Sequence, residues 1–342
     1  MSLVINTLRS AVVQYCAELG TNSLLVQGAG GNVSWKDEDN LWIKASGTWL
    51  ADAADKDIFI PVDLAHLRIA IKNNDFDATP KVQTDSLLKP SIETFLHALM
   101  PHKIVVHIHA IEVLAHLVRD DCDADLQRLL ADVSHWVLVD YYKPGKALAQ
   151  AVSSAISQNP QLNVVFLRNH GLVIGGADIH EVDDILRTII RKLNETSLNV
   201  PNTIECKTLG KLDQLEQYTP ISDVEIHELA TNPQLFNKIN LSWALYPDHV
   251  VFLGPQAHTY ENVEEFLVYN KQNDYFPELI FIQGSGVYIK PTFNRAKHAQ
   301  LRCYYDVVKR LELGTSLRTL SRLQISELLN WDAELYRMEQ SK

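Results

Sequence analysis

The chain has 342 residues, of which 46% are hydrophobic and 21% charged, as in typical globular proteins. Its formal net charge of −11 disfavours a protein that follows nucleic-acid phosphates with a basic surface, although a locally positive pocket can still bind a small anion. No apolar stretch approaches the roughly 20 residues that span a bilayer, so no membrane partner is expected.

The four cysteines are far apart and form no C-x-x-C pair. In a chain of this length they indicate reduced, mostly buried thiols and therefore a cytoplasmic protein. The first residues show no basic segment followed by an apolar core, so no signal peptide is expected. The cysteines are Cys16, Cys122, Cys206 and Cys303.

Strand and helix patterns alternate along the first 200 residues or so. Strands that alternate with helices around a single sheet predict a layered α/β domain. In chain order the patterns predict helix 5–19, strands 33–35, 41–44 and 58–62, helices 64–73 and 92–100, strand 103–109, helix 110–118, strand 136–139, helix 146–157, strands 163–167 and 172–174, and helix 178–193.

A polar stretch at 198–220, broken by two prolines and a glycine, indicates a domain boundary. We therefore expect a larger N-terminal domain at 1–205 and a smaller C-terminal α/β domain at 206–342, with a role in packing or assembly. The later patterns predict strands 249–254, 278–282 and 286–289 and helices 262–271, 295–312 and 324–338.

Two histidines, His107 and His109, lie two residues apart in a predicted strand, and a third, His170, lies in the segment Arg-Asn-His-Gly. Residues two apart on a strand point to the same face, so the pair aims two imidazoles at one point. A third imidazole would complete a three-ligand metal site with an open position, which is the catalytic kind. The chain has 13 histidines, so a chance H-x-H pair is the alternative.

Two short segments carry the residue types that bind anions. The first, Gln27–Ser34, contains three glycines and Asn32, and the second, Lys44–Thr48, places Ser46 beside Gly47. Glycines let backbone N–H groups approach an anion closely. The alternative is an ordinary tight turn in each case, and neither segment is a P-loop, because no Gly-Lys-Ser/Thr follows.

Glu93 is predicted in the first turn of the helix that leads into the histidine strand, with Ser91 as its cap. A carboxylate near a metal-bound substrate can move a proton. The alternative is a glutamate favoured by the helix dipole. His97, one turn later, could be a fourth ligand or an orienting partner, but we favour a satisfied structural histidine.

Taken together and in order, five blocks resemble the class II aldolase/adducin family: Gly-Gly-Asn-Val-Ser, Ala-Ser-Gly-Thr, Pro-Ser-Ile-Glu, Val-Val-His-Ile-His-Ala and Arg-Asn-His-Gly-Leu, over residues 27–172. The likeness is greatest to the aldolase portion of two-part proteins in which a rhamnulose-1-phosphate aldolase-like half precedes a short-chain dehydrogenase. This chain ends about where the dehydrogenase would begin. The resemblance implies a layered α/β/α domain with a central mixed sheet.

The resemblance also implies a zinc-dependent carbon–carbon lyase that cleaves a ketose phosphate or related sugar through a metal-stabilised enediolate. Another divalent transition metal would suit the same ligands. The family's usual assembly is a homotetramer with its sites near subunit interfaces. The implied roles are metal ligands for His107, His109 and His170, catalytic acid/base for Glu93, and substrate or phosphate contacts for Gly31, Asn32, Ser46, Gly47 and Ser91.

The chain departs from the family pattern at Ile92, where phosphate aldolases commonly have a second serine, so a phosphate requirement is in doubt. Lys89 could supply positive charge instead, and Trp49 could narrow the substrate site or pack beneath it. Two other functions remain open on the same residues: a sugar-phosphate epimerase or sugar-acid phosphate decarboxylase, and a non-catalytic, adducin-like binding module.

Overall fold

The computed structural model describes residues 2–194, 215, 217–273, 276–312 and 314–341. The boundary expected between residues 205 and 206, together with Cys206, lies outside these residues. The three cysteines within them, Cys16, Cys122 and Cys303, are buried free thiols. No helix in the described ranges is both long and apolar enough to cross a membrane.

A seven-stranded mixed sheet is the centre of the N-terminal half, with the order β3-β2-β1-β4-β7-β6-β5. Only the β5–β6 pair is parallel. In β1–β4 pairing Asn32 is opposite His107, and in β4–β7 pairing Ile108 is opposite Leu172. The end of β4 therefore lies between the starts of β1 and β7. The strands are β1 Asn32–Lys36, β2 Asn40–Lys44, β3 Phe59–Asp63, β4 Ile104–Ile108, β5 Trp136–Val139, β6 Val164–Leu167 and β7 Gly171–Gly176.

Helices cover both faces of this sheet. Ile104 and Val106 of β4 pack in a core with α1, α4 and α7, whereas Val105 packs with α3 and α6 on the opposite face. This alternation is the two-residue period of a strand buried on both sides. It confirms the predicted α/β/α layering. The helices are α1 Ser2–Thr21, α2 Leu64–Lys72, α3 Thr94–Leu99, α4 Ile111–Leu117, α5 Cys122–Leu129, α6 Lys146–Gln158 and α7 Ile179–Asn194, with a 3₁₀ helix at Leu50–Ala54.

The C-terminal half has its own four-stranded sheet, with the order β8-β11-β10-β9. Helix α4 joins the two halves, because Val113 and Leu117 pack in the core of the larger sheet and Ile111 and Leu114 pack in the core of the smaller one. The elements are β8 Thr219–Pro220, β9 Thr259–Tyr260, β10 Leu279–Ile282 and β11 Gly286–Ile289, with α8 Glu228–Thr231, α9 Pro233–Leu241, α10 Pro247–Leu253, α11 Val263–Gln272, α12 Arg295–Lys309, α13 Arg322–Leu329, α14 Asp332–Gln340 and a 3₁₀ helix at Val224–His227.

The strand expected at 249–254 is wrong, because these residues belong to helix α10 and its C-cap. A short apolar run that is buried all round has no periodicity to separate a strand from a helix. The signal that decides it is Pro247 at the first helical position, where its fixed φ and missing N–H suit a helix start.

The helix expected at 324–338 is also wrong as a single element, since it divides into α13 and α14 at Asn330 and Trp331, the latter in an extended conformation. Helix α5 was not anticipated at all. The helix expected at 92–100 begins only at Thr94, so Glu93 is its N-cap residue and not a member of its first turn.

Candidate functional site

The three histidines singled out by the sequence converge at one end of the larger sheet. His107 is in β4, His109 follows that strand, and His170 immediately precedes β7. One ring nitrogen of each lies within 4.8 Å of the others, and the Nε2 atoms of His107 and His109 are 3.1 Å apart. All three side chains are buried. The H-x-H spacing thus reflects a real convergence, which a chance pair would not give.

The turn that carries His170 is fixed by its neighbour. Asn169 adopts a left-handed conformation with φ of 53°, which asparagine tolerates better than most residues. Its side-chain amide donates to the backbone oxygens of Leu245, at 2.8 Å, and Arg318, at 2.6 Å. The C-terminal half therefore holds the turn from which His170 enters the site.

The hydrogen-bond partners of two rings define which nitrogens carry protons. Nδ1 of His107 faces the Leu172 carbonyl oxygen at 3.1 Å, and Nδ1 of His109 faces a carboxylate oxygen of Asp248 at 3.3 Å. Both partners accept, so each Nδ1 donates, and in a neutral ring Nε2 is left with a lone pair. Where both rings are neutral, their Nε2 lone pairs face each other across 3.1 Å, an arrangement that a cation between them would stabilise.

Burial lowers the pKa of His107 well below its usual value and that of His170 to about 3, so these rings are neutral at physiological pH. Neutral imidazole is the form that binds metals. Imidazoles form a donor set that suits zinc and other divalent transition metals, and three of them converge here. The residues present therefore fit the metal ion that this arrangement implies.

Glu93 lies directly beside the histidines. Its two carboxylate oxygens are each 3.4 Å from an Nε2 atom, one of His107 and one of His170. Asn32 fixes the carboxylate by donating to it at 2.7 Å, and Ser91 Oγ accepts from the backbone N–H of Glu93. Burial raises the pKa of Glu93 to about 7, against the opposing charge of nearby cationic groups. Such a group can both accept and donate a proton near neutral pH.

His97 is separate from this cluster. It is fully buried, and its Nδ1 is 2.8 Å from Oγ of Ser34. Ser34 lies two residues after Asn32, on the same face of β1. Its place outside the cluster agrees with the structural role that we favour from the sequence, but its Nε2 has no hydrogen-bond partner among the described residues, so the ring is not fully satisfied.

A small pocket opens beside the histidines and is lined by all five residues expected to contact substrate. The space that the centre of a water molecule can occupy there is about 20 Å³. Ile92 lines it too, whereas Lys89 is exposed and stacks on Tyr336. Trp49 is also outside the lining and donates to the backbone oxygen of Ser341. The expected lining residues are Gly31, Asn32, Ser46, Gly47 and Ser91, together with Glu93, His109 and His170.

Four charged lining residues were not anticipated as site residues: Lys44, Asp248, Glu334 and Arg337. Arg337 binds Asp248 through two nitrogens, at 2.5 and 2.8 Å, and Glu334 at 3.2 Å. Burial alone would raise the pKa of Asp248, but Arg337 and His109 outweigh it and hold that pKa well below its usual value. No local motif marks Arg337, and the incorrect strand assignment at 249–254 obscured the helix that carries Asp248.

The fold and the histidine cluster define a layered α/β protein with a candidate metal site at the end of its central strand. A family model described as the class II aldolase and adducin N-terminal domain matches residues 10–190. The chain therefore belongs to the class II aldolase/adducin family.

Individual relatives match only part of the chain. "Uncharacterized oxidoreductase YuxG" of Bacillus subtilis is 29% identical in an alignment of 177 residues that covers 46% of this chain and 25% of that protein. The chain thus spans about a quarter of that relative's length. The N-terminal class II aldolase domain of a conserved protein from Thermoplasma acidophilum is 28% identical, with a TM-score of 0.47 over 54% of this chain and 91% of that one. YgbL of Klebsiella pneumoniae, described as a putative aldolase/epimerase/decarboxylase, is 21% identical. Its TM-score is 0.43 over 59% of this chain and 95% of that one.

Proposed function

We propose that the protein is a metal-dependent class II aldolase, a carbon–carbon lyase that cleaves a ketose phosphate or related sugar. The observation that carries this proposal is the convergence of three buried imidazoles with the Glu93 carboxylate, 3.4 Å from two of their nitrogens. We propose His107, His109 and His170 as ligands of Zn²⁺, for which another divalent transition metal could substitute.

The residues divide the chemistry between them. A divalent metal on the three histidines would act as a Lewis acid that polarises a substrate carbonyl. As the bond breaks, the substrate hydroxyl oxygen loses its proton to solvent and becomes the aldehyde oxygen, and the bonding electron pair passes to the neighbouring carbon. We propose that Glu93 protonates that carbon, because its carboxylate borders both the histidines and the pocket. Asn32 keeps the carboxylate in that place through its 2.7 Å hydrogen bond.

We propose that Gly31, Asn32, Ser46, Gly47 and Ser91 contact the substrate's anionic group or hydroxyls. The cationic groups of the lining are Lys44 and Arg337, of which Arg337 is paired with Asp248 and Glu334, and the exposed Lys89 is not among them. The space open to the centre of a water molecule there is about 20 Å³, so we propose that the pocket widens to admit a sugar-sized substrate.

We also propose a cytoplasmic homo-oligomer, a tetramer by family resemblance, with a catalytic domain at 1–205 and a smaller domain at 206–342. Light scattering on the purified chain tests the assembly against a subunit mass of 38.7 kDa. We further propose that the chain corresponds to the aldolase portion of the two-part proteins, in keeping with its match to only 25% of a longer relative.

The first test is elemental analysis of purified protein. We expect about one zinc per chain, lost in His107→Ala and retained in His227→Ala, which removes a buried histidine outside the cluster. A wild-type protein that takes up no zinc, manganese or cobalt would contradict the proposal and favour the adducin-like binding module.

The second test is activity on a panel of ketoses, ketose phosphates and sugar-acid phosphates, with released aldehyde trapped. We expect Glu93→Gln to lower kcat by about 10²- to 10⁴-fold, the range typical of a lost acid/base group, while zinc content persists. Carbon dioxide without aldehyde would assign a decarboxylase instead, and a sugar-phosphate product inverted at one carbon would assign an epimerase.

A further inference from the structure

A carboxylate from the C-terminal half lies behind one of the three histidines. Asp248 in α10 approaches His109 Nδ1 to 3.3 Å, while Nε2, on the far side of the same ring, faces His107. We infer that Asp248 is a positioning residue that fixes the ring of His109, so that the C-terminal half completes the metal centre. The inference rests on the proposed metal site, and its test is designed to fail separately from that site.

The chemistry of the pair supports this role. An imidazole that donates its Nδ1–H to a carboxylate keeps one tautomer, with the Nε2 lone pair aimed away from the carboxylate. Such a carboxylate also fixes the ring's rotation and makes the ligating nitrogen more basic. Without Asp248, His109 could rotate or move its proton to Nε2, and either change would remove a ligand.

Asp248 is itself tightly held. Arg337 of α14 binds both carboxylate oxygens, at 2.5 and 2.8 Å, and Gln300 of α12 reaches Oδ2 at 3.3 Å. The carboxylate is 3% exposed, and a paired guanidinium is the partner that such a buried charge requires. Three helices of the C-terminal half thus act on one histidine through a single side chain.

The backbone beside the pair leaves room for it. A methyl group on Gly30 would lie 3.0 Å from Asp248 Oδ2, 3.1 Å from His109 Nδ1 and 2.9 Å from the carbonyl oxygen of Gln27. A side chain at this position would press on both members of the pair. We therefore assign Gly30 to the packing of the histidine and carboxylate, in addition to any part in anion binding.

The three histidines differ in how they are oriented. His107 uses a backbone carbonyl within its own sheet, and Nδ1 of His170 has no hydrogen-bond partner among the described residues. Of the three Nδ1 atoms, that of His109 faces a side chain, the carboxylate of Asp248. Asp248, Gln300 and Arg337 all lie beyond residue 190, where the family match ends. The side chains that orient His109 thus belong to this chain's C-terminal half.

The test is Zn²⁺ affinity of the full chain, measured on metal-free protein by competition with a chromophoric chelator. We expect Asp248→Asn to weaken zinc binding by about 10- to 100-fold, the usual range for loss of a carboxylate behind a ligating histidine. Glu334→Gln is the matched control, because Glu334 is equally buried and binds the same arginine without contacting His109. It removes the same negative charge, and we expect a loss of less than about threefold.

The outcomes separate the two proposals. Wild-type protein that binds no zinc overturns the metal site, whereas equal zinc affinity in wild type and Asp248→Asn overturns the positioning role alone. An equal loss in Asp248→Asn and Glu334→Gln would also overturn it, because charge alone would then account for the effect. If Asp248→Asn does not fold, Arg337→Lys replaces it. Lysine keeps the positive charge but cannot bind both carboxylate oxygens of Asp248 as a guanidinium does. We therefore expect an intermediate loss of zinc affinity.

A second readout needs no metal. Proton–nitrogen correlation spectra of the histidine rings report which nitrogen carries the proton. In metal-free wild type we expect His109 to be protonated at Nδ1, and in Asp248→Asn to show a mixture of both tautomers. An unchanged His109 signal in a folded Asp248→Asn protein would overturn the inference, since a purely structural residue would leave the tautomer as it was.

Discussion

Lys44 is an ammonium group enclosed by the protein. It is 1% exposed and donates to the backbone oxygens of Ala29, at 3.0 Å, and Thr48, at 2.6 Å. Burial lowers its pKa from 10.5 to about 7, and the charge of Arg337 acts in the same direction. The charge of this lining residue is therefore sensitive to pH near neutrality.

The sign of the stability effect follows from this shift. Between pH 7 and 10.5 the unfolded chain keeps the Lys44 proton and the folded chain releases it, so the free energy of unfolding rises with pH. We expect wild type to gain stability relative to Lys44→Met across this window, by up to about 1.4 kcal/mol per pH unit. Urea denaturation of both proteins at pH 7, 8 and 9 measures it.

Lys56→Met controls for the loss of one positive charge, because Lys56 is largely exposed. A difference between wild type and Lys44→Met that stays constant from pH 7 to 9 would show that the ammonium group has no lowered pKa.

Local sequence signals predicted the residues at the centre of the site. H-x-H spacing in an apolar run indicated His107 and His109, with His170 and Glu93 as further candidates, and the family resemblance then implied their roles; the fold brings all four together. Asp248 could not be found in this way. It contacts His109 across 139 positions of sequence, and such a pairing exists only once two helices have packed on the domain.

Strand β1 and helix α3 are joined by a row of polar contacts along one strand face. Asn32 binds Glu93 and Ser34 binds His97, each through side chains. Two residues further on, Lys36 donates to three backbone oxygens at the end of α3, those of His97, Met100 and His102, at 2.6 to 3.0 Å. The strand therefore fixes both ends of the helix that presents Glu93.

Lys36→Met removes the donor for those three carbonyls. We expect a loss of about 2–4 kcal/mol in the free energy of unfolding, because buried acceptors are left unpaired. Urea denaturation measures it. Lys72→Met is the matched control, since Lys72 lies in the last turn of another helix, α2, and is exposed. Equal losses in the two variants would contradict a specific role for Lys36.

Element type could be predicted where the chain showed a clear helical period, as in α7. It could not be predicted for α10, because a helix buried on every side shows no period. The break between α13 and α14 was also missed. The break lies at Asn330 and Trp331, and neither residue is a proline or glycine that would mark it in the sequence. The break therefore follows from packing against the rest of the molecule.

At the scale of the whole molecule, the last helix, α14, packs against residues of the N-terminal half. Helix α14 reaches the loop after β2, where a methyl group on Gly47 would lie 2.9 Å from the Arg337 oxygen and closer still to Gln340 Cβ. Nearby, Tyr336 stacks under Lys89. The packing of the C-terminal half onto the site therefore depends on the absence of a side chain at position 47.

Gly47→Ala tests this dependence at the scale of the chain. Gly47 has φ of +80°, so alanine there adds backbone strain as well as the collision with α14. We expect hydrogen–deuterium exchange across 332–340 to accelerate by about tenfold or more, which corresponds to about 1.4 kcal/mol or more of lost local stability. Mass spectrometry of the peptides measures it.

Gly284→Ala separates the collision from the strain. Gly284 also has a positive φ, +69°, but no atom lies within 4 Å of the position where its methyl group would stand. It should therefore lower overall stability by about 1–2 kcal/mol through strain alone and leave exchange in 332–340 unchanged. If Gly47→Ala also leaves that exchange unchanged, α14 does not depend on close approach to Gly47. In that case Arg337 must reach Asp248 with α14 held by its remaining contacts, such as those of Tyr336 with Lys89.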